Sequence, residues 1–545
     1  MKKTLFTLLL LSISSATLYA ADVYAATRQA WLEQAESLKP QLTETTVKPV
    51  CLVSSVKDAT AYQGWRFEKC GEMSELYGQS LKKNPEVIVD FGRHMTGYFS
   101  FLLTTTWRAQ DAPIRLKFTF GEVPSELNTP FDPYPGTLSR AWLQDEVVTV
   151  MQIDEVVTLP RRVACRYVKI ELLGASPDFD FALTDITFRA ISSAPNIGYP
   201  PLAPTASQRM RDIQQVAIET LRECMQTVYE DGPKRDRRLW IGDVYLESLA
   251  NAYSFKNHQL TKRCLYLLAA LAADDGRLHA NVFETPQPHP QYGSHCLDYS
   301  LLYTLALMEY THASGDTTTA QELWPVARRQ VEDALTYLND DYLFNPMKKN
   351  DGLWLFFDWK AGMDPSVAIQ GLLIHVLLRN YAFAKELGHQ QEVATWPAIA
   401  AKMKTAARQQ LYDKKRGIMV TQSGQVSQLS QIWMTISGVL NKKEAARALT
   451  YVLTHDDVVG LGAPYAHHYL VDALIRCGMT QEARQHIEDY WGGMVDRGAD
   501  TFWEVFAPQD EQLSPYNFYP INSYCHAWSC TPVYFIQRYP EIFQR

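Results

Sequence analysis

The thirteen residues Asp231-Gly-Pro-Lys-Arg-Asp-Arg-Arg-Leu-Trp-Ile-Gly-Asp243 hold three carboxylates, three arginines, a lysine and a tryptophan. Carboxylates kept beside cations and an aromatic ring are suited to binding a polyol and moving protons around it. A charged connecting loop with one buried Trp is the plainer alternative. A fourth carboxylate, Glu504, closes the distant run Arg497-Gly-Ala-Asp-Thr-Phe-Trp-Glu504. Asp236, between Arg235 and Arg237, and Glu504, behind two aromatics, are the candidate acid/base pair. In such a pair one protonated carboxyl assists a leaving oxygen, and its ionised partner acts on water or carbon. Arginines favour the ionised form of a neighbouring carboxyl. A general acid here therefore needs burial or a nearby carboxylate, Asp231 or Asp243, to offset them.

Elements of two kinds must carry these residues. From about 27 to 192, short runs such as Val87–Gly92, Tyr98–Leu103, Ile114–Phe120, Glu146–Ile153, Tyr167–Leu173 and Leu183–Phe188 alternate at period two and predict an antiparallel β-sandwich. Ser192 to Pro204, with four prolines and a glycine, reads as a linker. The period then becomes helical, with segments near 206–229, 243–256, 258–273, 297–313, 319–339, 365–388, 392–413, 427–440, 442–455, 465–477, 480–492 and 522–537. Short and long connections alternate between them. Short links make antiparallel hairpins, and six hairpins in a ring form an (α/α)6 barrel with every long loop at one end. The expected organisation is a leader over 1–21, a β-sandwich over 22–192, a linker over 193–204 and the barrel over 205–545.

The long loops bring further candidates to one rim. Loop two leads to Asp298-Tyr299, loop three holds Trp354 and Phe357-Asp-Trp359, and the last carries Trp503-Glu504 and then His526-Ala-Trp528 at the start of the final helix. Aromatic faces stack on the C–H surface of sugars while carboxylates bind their hydroxyls. Because the first and last hairpins meet when the ring closes, Asp236 and Glu504 are expected to face each other.

Composition narrows the partners. Lys2 and Lys3, an apolar run from Leu5 to Leu11 and small residues ending at Ala21 read as a secretory leader, so export to the periplasm or beyond is expected. The whole chain has 52 basic and 60 acidic residues; removing Lys2 and Lys3 leaves 50 against 60. That negative balance, without a basic block, argues against nucleic acid. No membrane span is expected. The nine scattered cysteines are not a disulfide framework, although Cys51 and Cys70 can pair in an oxidising compartment. Neither a metal nor an organic cofactor is implied.

Asp231-Gly-Pro-Lys-Arg-Asp236-Arg with Trp240-Ile-Gly-Asp243 resembles the signature of bacterial α-L-rhamnosidases of glycoside hydrolase family 78. Phe357-Asp-Trp359, Gly498-Ala-Asp-Thr-Phe-Trp-Glu504 and Cys525-His-Ala-Trp528 resemble its later motifs in the same order, and Val89-Asp-Phe-Gly-Arg with Phe120-Gly-Glu122 resembles the preceding β-sandwich. The resemblance implies an inverting exo-hydrolase that removes terminal α-L-rhamnosyl residues. It implies Asp236 as general acid, Glu504 as general base, Asp231, Asp243 and Trp359 as holders of the sugar, and His526 as a substrate-facing group. Arg235, Trp240, Asp298 and Trp503 are further candidate sugar contacts. Many members carry Glu where this chain has Asp236 followed by Arg, so Asp231 and Asp243 stay open as alternatives for the acid. The family usually continues into a C-terminal β domain; with Arg545 as its last residue, this chain is expected to be a compact member. The rival readings are a glycosidase or lyase on the same barrel acting on another sugar, and a catalytically silent glycan-binding protein.

Overall fold

The computed structural model describes residues 22–349 and 351–545; the expected leader, 1–21, lies outside them. The first helix, α1 (Arg28–Ser37), buries Trp31 and Ala35 in the helical core rather than in the sheet. Its Arg28 donates to Ala270 O and Ala272 O at 2.6 and 2.7 Å.

Nine strands follow: β1 (Thr43–Val47), β2 (Cys51–Lys57), β3 (Trp65–Gly71), β4 (Glu86–Trp107), β5 (Ile114–Gly121), β6 (Asp145–Val150), β7 (Val156–Thr158), β8 (Val163–Gly174) and β9 (Asp180–Ser192), with the short helix α2 (Pro124–Asn128) after β5. All their pairings are antiparallel. The two expected runs Val87–Gly92 and Tyr98–Leu103 are one strand, β4, whose register against β8 shifts between Asp90 and Met95. β2 and β8 flank its first half, β9 and β7 its second. Ile114, Leu116, Phe118 and Phe120 of β5 are all buried, the period-two face that the sequence announces. They join Phe99, Phe101, Phe181 and Phe188 in the sheet core. Cys51 and Cys70, on adjacent strands, are unbonded thiols.

The linker residues 193–207 form no regular element, and Ser207 caps the next helix by accepting Met210 N at 3.2 Å. The barrel consists of α3 (Gln208–Cys224), α4 (Ile241–Ala252), α5 (His258–Ala270), α6 (Leu297–Ser314), α7 (Thr317–Leu335), α8 (Ser366–Leu387), α9 (Trp396–Gln410), α10 (Gln428–Ile436), α11 (Lys442–Thr454), α12 (Pro464–Cys477), α13 (Thr480–Asp496) and α14 (Pro532–Arg538). The even-numbered members α4 to α12 pack successively as an inner ring, closed by α14 against α4 and by His468 of α12 against Phe535 of α14, and the odd-numbered ones lie outside. Inner helices are apolar nearly all round, as burial on every side requires. α8, long and apolar enough to cross a membrane by length and composition, is one of them and is largely buried within the ring.

The last expected helix, 522–537, is a correction: only Pro532–Arg538 is α-helical. The preceding backbone is spent elsewhere. Ser523 O accepts Glu504 N at 2.9 Å, His526 N donates to Phe502 O at 2.8 Å, and Ala527 N donates to Asp231 O at 2.7 Å. Those bonds hold 522–527 between the first and last long loops, a single 3-10 turn follows over Ala527–Ser529, and Pro532 starts the helix behind it.

Candidate active site

The first long loop folds around Asp231. Its Oδ2 accepts Asp236 N and its Oδ1 accepts Arg238 N, both at 3.0 Å. Gly232 has no alternative here, since a Cβ would lie 2.4 Å from Arg235 O and 2.5 Å from Ser523 Oγ. Gly242, in the first turn of α4, has the Tyr299 ring 2.4 Å from where its Cβ would be. These two close approaches explain both glycines of the motif.

Arg235 is the centre of the site. Its guanidinium is buried over the Tyr516 ring, 4.5 Å from the centroid, and Nε donates to Ile521 O at 3.1 Å. One arm donates to Asp236 Oδ1 at 3.0 Å and the other to Glu504 Oε2. The two candidate catalytic carboxylates thus hang from one planar fork. Glu504 also accepts Tyr516 OH at 2.5 Å and Ser523 N at 3.1 Å. Burial pushes the Glu504 carboxyl up, but Arg235, His526 and these bonds outweigh it and hold it below its ordinary range. It is ionised at neutral pH.

A cavity of about 240 Å³ opens between these loops. Of the ten candidates from sequence, it brings together Asp231, Arg235, Asp236, Trp240, Asp243, Trp359, Glu504 and His526. Two lie outside it. Asp298 is a loop clamp: its carboxylate accepts Phe356 N at 3.0 Å and Phe357 N at 3.1 Å. Trp503 faces away and stacks on Tyr62 of the sheet domain at 4.2 Å, because neighbours in an extended segment project to opposite sides and Glu504 takes the cavity side. The walls also include Arg238, Gln291, Tyr299, Trp354, Phe356, Tyr516, Trp528 and Leu138. Trp528, two residues after His526, was within reach of sequence pattern. Leu138 was not, since it comes from a loop of the sheet domain.

The floor of the cavity is rich in unspent polar atoms. Asp243 Oδ1 and His526 Nε2 are 3.4 Å apart, an ion-pair contact too poorly aligned to be a hydrogen bond. Both atoms, with His526 Nδ1 and Trp359 Nε1, are buried without a hydrogen-bond partner among the described residues. Donors and acceptors of this kind suit a ligand bearing several hydroxyls. Burial depresses His526, but Asp243 and Glu504 outweigh that and raise it above its ordinary value. Burial raises Asp243. Burial and the adjacent Asp236 push Asp231 up to about 7.

The sheet domain reaches into this machinery. Lys234 Nζ, next to Arg235, lies 2.9 Å from Glu122 Oε2 and 2.7 Å from Glu126 Oε1, with all three side chains buried. Glu122 Oε2 also accepts Tyr524 N at 2.7 Å, and its Oε1 meets His94 Nε2 at 2.9 Å.

These carboxyls give stability a pH dependence. Asp231, Glu126 and Asp358 are each pushed by burial up to about 7, above the values they have in an unfolded chain. At these three sites the folded state therefore binds more protons than the unfolded one between about pH 4 and 7, and their contribution to stability is lost as pH rises through about 7. The slope is up to about 1.4 kcal/mol per pH unit for each titrating carboxyl. Asp358→Asn is expected to remove one such contribution, so that its melting temperature, relative to that of wild type, improves from pH 5 to 7. An Asp358→Asn protein whose melting temperature changes between pH 5 and 7 as much as that of wild type would contradict the assignment of Asp358.

Known proteins share this fold. Residues 49–190 match the glycosyl hydrolase family 78 alpha-rhamnosidase N-terminal domain, and residues 204–539 match the bacterial alpha-L-rhamnosidase 6 hairpin glycosidase domain. The chain is similar to the rhamnosidase from Klebsiella oxytoca with rhamnose bound, at 39% identity over 94% of this chain and 98% of that one, with a TM-score of 0.90. The family 78 rhamnosidase of Bacillus sp. GL1 shares the fold at 21% identity, covering 83% of this chain and 46% of that one, TM-score 0.68. So does the Streptomyces avermitilis α-L-rhamnosidase complexed with L-rhamnose, at 16% identity over 92% of this chain and 44% of that one, TM-score 0.63. No curated protein matches the chain.

Proposed function

The chain belongs to the bacterial α-L-rhamnosidases of glycoside hydrolase family 78 and is a glycoside hydrolase, and from that premise we propose that it is an exported, inverting exo-enzyme that removes single terminal α-L-rhamnosyl groups. The observation that carries this reading is Glu504 and its neighbour Asp236 on the two arms of Arg235, beside a small cavity lined by aromatic rings and polar side chains. About 240 Å³ is less than the roughly 300–1,000 Å³ of sites for drug-sized ligands. It suits one pyranose ring better than a chain, and so supports exo action.

In this reading the rhamnosyl ring lies among Trp240, Trp359 and Trp528. Its hydroxyls complete the hydrogen bonding of Asp243, His526 and Trp359. Glu504, already ionised, takes a proton from a water as the water attacks the anomeric carbon. Asp236 gives its proton to the departing glycosidic oxygen. Asp231 has both carboxylate oxygens engaged by backbone N–H groups, and Asp243 faces His526. Asp236 is therefore the carboxyl left to meet the leaving group, and it is the least buried of the three. The test is proton NMR of an aryl α-L-rhamnoside during turnover. β-L-rhamnose is expected to appear first and mutarotate afterwards. α-L-rhamnose as the first product would overturn inversion, and no release of rhamnose would overturn the reading as a whole.

A further inference from the structure

Building on the rhamnosidase reading above, we propose that the groove on the far side of Trp354 is a second sugar subsite, which receives the hexose carrying the rhamnosyl group. A separate cavity of about 120 Å³ lies there, lined by Arg277, Ser294, His295, Asp333 and Asp351. Trp354 walls both this cavity and the one that holds the catalytic carboxylates. The loop 291–295 joins them, since Gln291 lines the first and Ser294 and His295 line the second. Gln291 is also on the acid's side of the first cavity: its Oε1 accepts Arg238 at 3.4 Å, and Arg238 is 3.8 Å from Asp236 Oδ2. A group leaving over Asp236 in that direction meets Trp354 and then the second cavity.

The chemistry of the lining selects the occupant. Trp354 is 36% exposed and Tyr292, on the joining loop, 79% exposed, an aromatic rim of the kind that sugar C–H faces cover. Beneath it stand one guanidinium and two carboxylates, which pair with vicinal hydroxyls. These groups are fixed before any ligand arrives. Arg277 Nε donates to Asp275 at 2.8 Å, Asp351 accepts Tyr337 OH at 2.6 Å, and Lys349 lies 3.1 Å from Asp333. Leu297 N donates to Trp354 O at 3.1 Å and pins the shared wall. A flat apolar aglycone would desolvate this charged surface without repaying the loss. A hexose satisfies it.

The experiment compares kcat/KM for an aryl α-L-rhamnoside and for a set of α-L-rhamnosyl-glucose disaccharides covering each linkage position. Wild type, Arg277→Ala and Asp333→Ala are assayed, with thermal melting as a check on folding. Each change is expected to lower kcat/KM for the best disaccharide about tenfold, the effect of losing one charge-assisted hydrogen bond. Aryl rhamnoside hydrolysis should stay within about twofold of wild type. Equal losses on both substrates, or none on any disaccharide, would overturn the subsite. If wild type releases rhamnose from no substrate, the rhamnosidase reading itself fails, a distinct outcome.

Discussion

Glu504→Gln is expected to lower kcat on an aryl α-L-rhamnoside by about 10²–10⁴-fold, the range in which a positioned general base contributes. That corresponds to roughly 3–5 kcal/mol of transition-state stabilisation. The substitution keeps the size of the side chain and the acceptor for Tyr516 or Ser523, but removes the charge facing Arg235. Asp243, Trp359 and His526, the groups we propose to hold the sugar, are untouched, so rhamnose should bind the variant within about tenfold of wild type. Steady-state kinetics together with calorimetric titration of rhamnose separates the two effects. Retention of more than about a tenth of wild-type kcat would remove Glu504 from the role of base.

The second large effect belongs to Arg235. Arg235→Met leaves Asp236 and Glu504 as neighbouring carboxylates without the fork between them, and unpaired buried charge is costly, about 3–5 kcal/mol. The predicted consequence is directional. Arg235 is the foremost of the groups that hold Glu504 below its ordinary range against the opposing push of burial. Without it the balance tips towards burial and the carboxyl shifts upward. The acidic limb of the kcat/KM profile should then move to higher pH, and activity near pH 5 should fall by about 10²-fold or more, with partial recovery as pH rises. Arg235→Lys keeps a charge but not a planar two-armed donor, and is expected to lie between wild type and Arg235→Met. An Arg235→Met enzyme whose acidic limb stays in place would disprove the electrostatic role, whatever its overall activity.

Much of this was legible in the sequence because it is written locally. The twelve helical segments carry their 3.6-residue period, and the alternation of short and long links needs only counting; it is sufficient for the ring and for the end where the site lies. The motif around Asp236 and the distant Glu504 are legible through residue type. What escaped follows from adjacency that the sequence cannot express. Asp298 sits in the right loop but turns to bind the backbone of Phe356 and Phe357. Trp503 differs from Glu504 by one position and therefore by the opposite side of the segment. The helix expected from 522 gives up its first residues because their backbone is shared between two other loops. Leu138 reaches the cavity from the other domain, a contact across more than ninety residues to the first motif, for which no periodicity provides a signal. Gln291 and Tyr516 likewise sit in loops without a pattern to mark them.

The buried meeting of Lys234 with Glu122 and Glu126 has a consequence for how such an enzyme is inherited. A barrel parted from its β-sandwich would lose both counter-charges of this ammonium group, one residue from the arginine that holds Asp236 and Glu504. The sandwich is then no accessory that recombination can exchange for another of similar shape. A replacement would have to bring its own acidic pair to the same spot.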